Sequence, residues 1–217
     1  TAYNAVDELP VKLAFVDGND FSNGYFNAYS RIAEIKDINA VVVVSGYIDE
    51  GAGSNNLRTH IPSVKTETLQ DYRNRYAQYH LDNDLMKAHA NHPFIVVWER
   101  QSQDVISEKW DDAKKAAEQA FIEWLPVRVT KGEFQRKVSY GKMLDLYMIE
   151  TQSQQNKGAL ASTNTILEED VSLMTQPQRE WLTKQLNYST SEWKVLVNRN
   201  LMTSINAEVE PIASKAY

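Results

Sequence analysis

Apolar residues along this chain follow two patterns that alternate with each other. Val11 to Val16 is a short β-rich run that ends in the turn-forming residues Asp17-Gly18-Asn19-Asp20. Ala40 to Val44 is a run of apolar, mostly β-branched residues without any alternation, and Phe94 to Trp98 is a similar run after a proline. A strand without alternation is covered on both faces, as in the middle of an α/β sheet.

The second pattern places apolar residues three or four positions apart, which predicts amphipathic helices between the strands. Four helices are predicted, over Gly24 to Lys36, Thr66 to Leu81, about Asp84 to Ala90, and Asp111 to Trp124. Thr66 is the expected N-cap of the second helix. Strand, helix and buried strand in this order predict a βαβ unit.

The second half of the chain is expected to add a hairpin, a helix and a final strand. Lys137 to Thr151 should form the hairpin and its buried strand, Leu144 to Ile149, and Trp193 to Leu201 the last strand. Pro177 opens a helix that continues through Arg179 to Leu186. Gln152 to Thr165 is expected to be a loop. We predict a single α/β domain over residues 1–217, or the N-terminal half of one, with an irregular tail at 204–217.

Composition excludes several classes of protein. The 217 residues carry a net charge of −6, and a nucleic-acid binder as a whole would need a basic footprint, so no nucleic-acid partner is expected. The absence of cysteine excludes disulfides, thiolate metal sites and thiol nucleophiles. No apolar run is long enough to predict a membrane span. The five tryptophans are interpreted as core and corner packing.

Common catalytic motifs are missing, and the basic and aromatic residues admit two interpretations. The sequence has no glycine-rich phosphate loop and no Gly-x-Ser-x-Gly elbow. His89 and His92 could be metal ligands, but a helix C-terminus that favours positive charge explains them more simply. Arg73 and Arg75, set among tyrosines, could bind phosphate or a base, but a tyrosine core with surface arginines is the favoured interpretation.

Several segments in order along the chain resemble one protein family. They are Gly24-Tyr25-Phe26-Asn27-Ala28-Tyr29, Tyr47-Ile48-Asp49-Glu50, Tyr72-Arg73-Asn74-Arg75-Tyr76-Ala77, His92-Pro93-Phe94-Ile95-Val96-Val97-Trp98, Phe121-Ile122-Glu123-Trp124-Leu125-Pro126-Val127-Arg128, Asp145-Leu146-Tyr147-Met148-Ile149-Glu150-Thr151, Gln178-Arg179-Glu180-Trp181-Leu182 and Trp193-Lys194-Val195-Leu196. The set is similar to the PhoD-type alkaline phosphatases of the calcineurin-like metallophosphoesterase superfamily. The resemblance extends over about residues 11–202.

This resemblance implies a metallophosphoesterase-like fold, with βαβ units and a sheet sandwich flanked by helices, of which this chain would be a partial domain. It also implies a metal-dependent phosphatase, in which metal ions polarise the phosphoryl group. The positions that correspond to the family's metal ligands are Gly18, Gly46, Asp49, Glu99, Arg100 and Gln101. Glycine supplies no ligand atom, and arginine cannot be deprotonated.

An intact multi-metal site is therefore not expected, and no catalytic residue is assigned. Asp17, Asp49 and Glu99 are the candidates for a weakly held cation. We expect a PhoD-like protein with a structural or binding role and no cofactor. The alternative is a hydrolase whose remaining ligands lie outside this chain, and it would use iron, calcium or zinc.

Two further expectations concern partners and location. Because the family's two sheets cover each other, we expect strands such as Ala40 to Val44 and Leu144 to Ile149 to lack part of their cover, and the chain to associate with itself or with a complementary chain. In the other possibility, residues 152–217 fold back and close the sandwich. We expect a periplasmic or extracellular location, from the resemblance and from a first residue that is not Met.

Overall fold

The computed structural model describes residues 10–53, 57–98, 110–129, 133–151 and 174–199. In these ranges the strands are β1 (Leu13–Asp17), β2 (Ala40–Ser45), β3 (Phe94–Val96), β4 (Arg136–Tyr140), β5 (Leu144–Met148) and β6 (Trp193–Val197). The helices are α1 (Asn27–Glu34), α2 (Leu69–His80), α3 (Asn83–Asn91), α4 (Trp110–Trp124) and α5 (Gln176–Tyr188). The predicted loop at 152–165 and tail at 204–217 lie outside the described residues.

The strands form two three-stranded sheets. The first has the order β1-β2-β3, and all its strands are parallel, so β1, α1 and β2 form the predicted βαβ unit. The second has the order β4-β5-β6, with β4 antiparallel and β6 parallel to β5. The predicted α/β class is confirmed, and β2 is apolar almost throughout because it is the central strand of a parallel sheet.

The two sheets pack face to face around a shared apolar core. Alternate residues of the central strands supply it, since successive side chains of a strand point to opposite faces. Ala40 and Val42 of β2 belong to the same buried cluster as Leu144, Leu146 and Met148 of β5. The expectation that these strands lack part of their cover is wrong, because β2 and β5 are buried on both faces within the chain.

Helices cover the outer face of each sheet. Val41 and Val43 of β2 lie in one buried cluster with residues from α1, α2, α3 and α4, among them Tyr29, Tyr76 and Phe121. On the second sheet, Tyr147 packs with Leu182 of α5. The result is a four-layer arrangement of helices, sheet, sheet and helix, which agrees with the predicted sandwich flanked by helices.

A buried carboxylate ties the second sheet to the end of α5. Asp145 of β5 accepts hydrogen bonds from Ser139 Oγ at 2.6 Å, Ser189 Oγ at 2.6 Å and Lys137 Nζ at 3.0 Å. Burial alone would raise the pKa of Asp145, but these donors outweigh it and hold the pKa at about 2. The negative charge of Asp145 is thus paired with Lys137 and accepts hydrogen bonds from the two serines.

Helix α2 begins later than predicted. Its N-cap is Thr68, two residues after Thr66, and the Thr68 hydroxyl accepts from the Asp71 amide at 3.2 Å while the Asp71 carboxylate accepts from the Thr68 amide at 2.9 Å. This is a capping box, which satisfies two amides at once. Thr66 instead donates its amide to the Glu50 carbonyl at 2.9 Å, so it anchors the preceding loop.

The outer strands of both sheets expose apolar side chains. Phe15 of β1 is 53% exposed and Trp193 of β6 is 66% exposed, although each is in register with a buried residue of the neighbouring strand, Val42 or Leu144. The interpretation of the tryptophans as core and corner packing therefore fits Trp98, which is buried, but not the mostly exposed Trp193. Among the described residues, no helix is both long and apolar enough to cross a membrane.

Candidate functional site

The three parallel strands of the first sheet end at one edge, which brings the segments after β1, β2 and β3 together. The carboxyl edge of a parallel sheet is where ligands commonly bind in open α/β folds. The segments after β1 and β2 stay paired beyond the strands, because Gly18 N donates to Ser45 O at 3.2 Å and Asn19 N donates to Gly46 O at 2.8 Å. This edge contains the predicted positions Asp17, Gly18, Gly46 and Asp49.

Two glycines occupy the turns at this edge. Gly18 has a φ of +67° and Gly46 a φ of +58°, a left-handed conformation that glycine adopts without strain. A Cβ atom at Gly18 would meet no atom of another part of the chain within 4 Å. Space for a side chain is therefore available at this position, and the ligand atom is missing because the residue is a glycine. The turn geometry alone is sufficient to explain both glycines.

The carboxylates at this edge accept hydrogen bonds from nearby groups of the protein. Asp17 accepts a hydrogen bond from the Ser45 hydroxyl, and Asp49 accepts from the Gly51 amide at 2.7 Å. Asp20 accepts from the Ser22 amide at 3.0 Å and hydroxyl at 2.8 Å. Asp17 thus links the ends of β1 and β2, and Asp20 and Asp49 shape turns. A hard cation needs several anionic oxygens that converge on one point.

A multi-metal centre does not fit the residues described at this edge. In the described part of the chain, no group of three or more His, Cys, Asp or Glu side chains could hold a metal ion. Glu99, Arg100 and Gln101 lie outside the described residues. Of the three predicted cation candidates, the structure therefore describes Asp17 and Asp49 but not Glu99. The assignment of these positions remains a prediction.

Beneath this edge lies a fully buried guanidinium. Arg75 of α2 is 0% exposed, and it donates to backbone carbonyl oxygens of the 49–64 segment. The acceptors are Asp49, Gly51 at 2.9 Å, Pro62 at 2.8 Å, Val64 at 3.1 Å and Ile61 at 3.5 Å. Burial lowers the pKa of Arg75. The prediction of a surface arginine holds for Arg73, which is paired with Glu123 at 2.6 Å, and is wrong for Arg75.

A buried tyrosine hydroxyl connects the turns after β1 and β2. The Tyr79 hydroxyl accepts from the Asp49 amide at 3.0 Å and from the Phe21 amide at 3.4 Å. It lies 3.3 Å from both the Asn19 carbonyl and His60 Nε2. Burial raises the pKa of Tyr79 far above its ordinary value, so the hydroxyl stays protonated and serves as donor and acceptor.

Two histidines from different helices meet at another tyrosine. The Tyr47 hydroxyl lies 2.9 Å from His80 Nε2 and 2.8 Å from His89 Nε2, and the two imidazole centroids are 5.2 Å apart. Burial, with a smaller contribution from His80, lowers the pKa of His89 to about 4. His89 lies in the last turn of α3, as the interpretation of a helix C-terminus that favours positive charge expects, but burial favours the neutral ring. His92 bonds separately, to the Ile32 carbonyl at 2.9 Å.

A cavity of about 510 Å³ opens beside this region, between α2 and the turn after β1. Arg58 lies on its wall, with its guanidinium 3.7 Å above the Phe21 ring and 2.6 Å from the Asp82 carboxylate. The Asp82 carboxylate thus balances the charge of Arg58 at this wall of the cavity.

The sequence predicts where the strands end, but not which side chains organise these ends. It placed Asp17, Gly18, Gly46 and Asp49 at the ends of the strands, as the structure has them. Arg75, Tyr79 and His80 were not identified as organising residues, since their partners lie far away in sequence. The signal that could have been used is the repeat of polar-tipped residues in α2, where the buried side chains are Tyr72, Arg75, Tyr76 and Tyr79.

Comparison with known proteins places the chain in a family. The model of the family described as "PhoD-like phosphatase" matches residues 13–216. A curated relative, alkaline phosphatase D of Bacillus subtilis (strain 168), is 29% identical over 214 residues, covering 86% of this chain and 36% of that protein. A solved structure of PhoD aligns with a TM-score of 0.77 and 28% identity, covering 90% of this chain and 42% of the other. The chain thus spans less than half the length of either relative.

The buried position of Arg75 predicts a large cost for its conservative replacement. Arg75→Lys keeps the charge but offers three donors from a single atom, so carbonyls of the 49–64 segment lose their partners. We expect the free energy of unfolding in urea to fall by about 3 kcal/mol. The matched control is Arg73→Lys, two residues away and partly exposed, for which we expect a much smaller loss because solvent screens its pairing with Glu123. Equal losses in both variants would contradict this role.

The neutral histidine pair predicts that stability falls as the pH is lowered from about 6.5 to 4. The pKa of His89 is about 4 in the folded chain and near 6.5 when unfolded, and that of His80 is also lowered by burial. The unfolded state therefore binds more protons in this pH window. The free energy of unfolding should fall by at most about 1.4 kcal/mol per pH unit for each histidine, and by less than this limit because both rings are partly solvated.

Urea unfolding at several pH values measures this slope. His89→Asn should flatten it, because the substitution removes a buried imidazole of the pair. A slope between about pH 4.5 and 6.5 that is the same in wild type and His89→Asn would contradict the prediction.

Proposed function

The chain belongs to the PhoD-like phosphatase family, and we propose that it keeps the family's fold without a working phosphatase centre and has a binding or structural role. This proposal treats the chain as a pseudoenzyme of the alkaline phosphatase D type. The fold and family are those of the matched relatives, whereas the loss of activity is our inference from the residues at the strand ends.

The observation that carries the proposal is the state of the turns after β1 and β2. Gly18 and Gly46 occupy positions that supply metal ligands in the family that the sequence resembles, and a glycine has no ligand atom. The neighbouring carboxylates, Asp17 and Asp49, accept hydrogen bonds within this edge. Phosphoryl transfer with metal ions depends on ions that polarise the phosphoryl oxygens, and this donor set is too sparse to hold a cluster of them.

A second candidate function has its own support. The matched relative is named as an alkaline phosphatase, and this chain covers 36% of it. A metal-dependent phosphomonoesterase or phosphodiesterase would then obtain its remaining ligands from residues outside those described, with iron, calcium or zinc as the metal. Asp17 and Asp49 would be the carboxylates that this edge contributes.

Phosphatase assays distinguish the two candidates. We expect no hydrolysis of p-nitrophenyl phosphate or bis(p-nitrophenyl) phosphate above the buffer rate with added Fe³⁺, Ca²⁺ or Zn²⁺, because the ligand atoms are missing. The B. subtilis relative serves as the positive control for metal loading. Turnover that is abolished both by a chelator and by Asp49→Asn would contradict the proposal and support the second candidate.

We also propose that the chain associates through the outer strands of its sandwich, with a second copy or with a complementary chain. The support is the exposure of Phe15 on β1 and Trp193 on β6, each in register with core residues of the neighbouring strand. A strand edge with unpaired backbone groups and apolar side chains favours pairing with another chain.

Light scattering at micromolar concentration tests this association. We expect a dimer or larger species that Trp193→Lys shifts toward monomer, while Ile122→Lys, an exposed residue on α4, has no effect. A wild-type monomer would contradict self-association, and only a complementary chain would then be left as the partner.

An exported location, periplasmic or extracellular, is the third part of the proposal and rests on the family resemblance. Fractionation of cells that produce the full gene product should place it outside the cytoplasm. Recovery in the cytoplasmic fraction, with a cytoplasmic marker enzyme, would contradict this location.

A further inference from the structure

We propose that Tyr47, His80 and His89 form a binding site for one divalent transition-metal ion of the Zn²⁺ or Co²⁺ class. The site includes none of the positions Asp17, Gly18, Gly46 and Asp49 at the strand edge. It contains two histidines and a tyrosine, so it differs in kind from a metal site with three or more His, Cys, Asp or Glu side chains, of which the described residues contain none. Its third donor is the phenol oxygen of Tyr47.

The geometry brings three donor atoms to one point. Tyr47 Oη lies 2.9 Å from His80 Nε2 and 2.8 Å from His89 Nε2, so both ring nitrogens face the same oxygen. The imidazole centroids are 5.2 Å apart. Two imidazoles that bind one tetrahedral ion, with each nitrogen about 2.1 Å from it, also hold their centroids roughly 5 Å apart. A small outward movement of the phenol would make room for the ion.

The surroundings keep the three donors in place. The His89 ring stacks on Phe94 with centroids 3.7 Å apart, and the His80 ring meets Trp124 at 5.5 Å. Tyr47 stacks on Tyr76 at 5.9 Å. The donors come from the segment after β2, from α2 and from α3, so their arrangement is fixed by packing between these elements rather than by one flexible loop. A site built from packed elements needs little ordering when the ion binds.

The chemistry of the donors suits a borderline cation. Burial lowers the pKa of both histidines, so each is neutral at pH 7 and has a lone pair available. Tyr47 is protonated, because burial raises its pKa. Binding therefore displaces the phenol proton to solvent: the ion gains an oxygen ligand and one proton is released. A water molecule would complete four-coordination, since both histidines are only partly buried.

Without an ion, the same atoms can form a closed hydrogen-bonded group. Tyr47 would donate to one imidazole and accept from the other, which leaves all three satisfied. The two states differ in proton release, in the spectrum of a bound ion and in their dependence on the histidines, so experiment can separate them.

A titration of the tag-free, metal-stripped chain with Co²⁺ and with Zn²⁺ tests the site. We expect one equivalent of Co²⁺ to give visible absorption bands typical of four-coordination, and Zn²⁺ to displace it. Calorimetry of Zn²⁺ binding in two buffers with different ionisation enthalpies should show the release of about one proton, and the affinity should rise with pH.

Variants assign the site. His80→Asn and His89→Asn should each weaken binding roughly tenfold or more, and Tyr47→Phe should weaken it and abolish the proton release. His92→Asn is the matched control and should bind as the wild type does. Thermal unfolding without metal shows which variants are folded, and only these are compared.

Two results would overturn the proposal. The first is a folded wild-type chain that binds neither ion. The second is binding that persists unchanged in folded His80→Asn and His89→Asn; loss of that binding in Asp49→Asn would place the ion at the strand edge instead.

Discussion

A buried guanidinium is the interaction on which the carboxyl edge of the first sheet depends. Arg75 donates hydrogen bonds to carbonyl oxygens of the 49–64 segment. Two of these acceptors, Asp49 and Gly51, lie in the part of the segment that follows β2. Burying a charge is costly unless its hydrogen bonds are made, so the guanidinium and the segment fix each other's positions. Tyr79, one helical turn further along α2, joins the same chain to the turn after β1. Helix α2 thereby sets the shape of the edge where the family's chemistry is expected.

This arrangement explains how a PhoD-like fold can persist with a sparse set of metal ligands. In a metal centre, ions with several carboxylates would hold the strand ends together. In this chain hydrogen bonds join them: Asp17 binds Ser45, and Asn19 binds the carbonyl groups of Gly46 and Tyr47. The Arg75 and Tyr79 side chains of α2 bind the same segments. The edge is organised by neutral donors and one buried cation. The fold and the proposed loss of catalysis are therefore compatible, because groups of the protein itself connect the strand ends.

Sequence reasoning predicted the layers of the fold better than the contacts inside the site. The run Ala40 to Val44 predicts a central strand because β-branched residues without alternation need cover on both faces, and β2 has that cover. The predicted N-cap of α2, Thr66, is wrong by two residues, since only the partner Asp71 distinguishes Thr68 from Thr66. Tyr47 lies 33 residues before His80 and 42 before His89, so no local pattern joins the three. The cover of β5 by β6 likewise depends on pairing across a long segment.

The claim that internal hydrogen bonds, and not metal ions, order this edge can be measured directly by amide hydrogen exchange. The amides of Asn19, Phe21 and Asp49 report on it, because each donates to the Gly46 carbonyl or the Tyr79 hydroxyl. Exchange is followed by NMR in the protein as purified and after complete removal of metals with a chelator. The account predicts slow exchange of these amides that the chelator does not change. Protection that is lost on chelation and restored by added iron, calcium or zinc would contradict it.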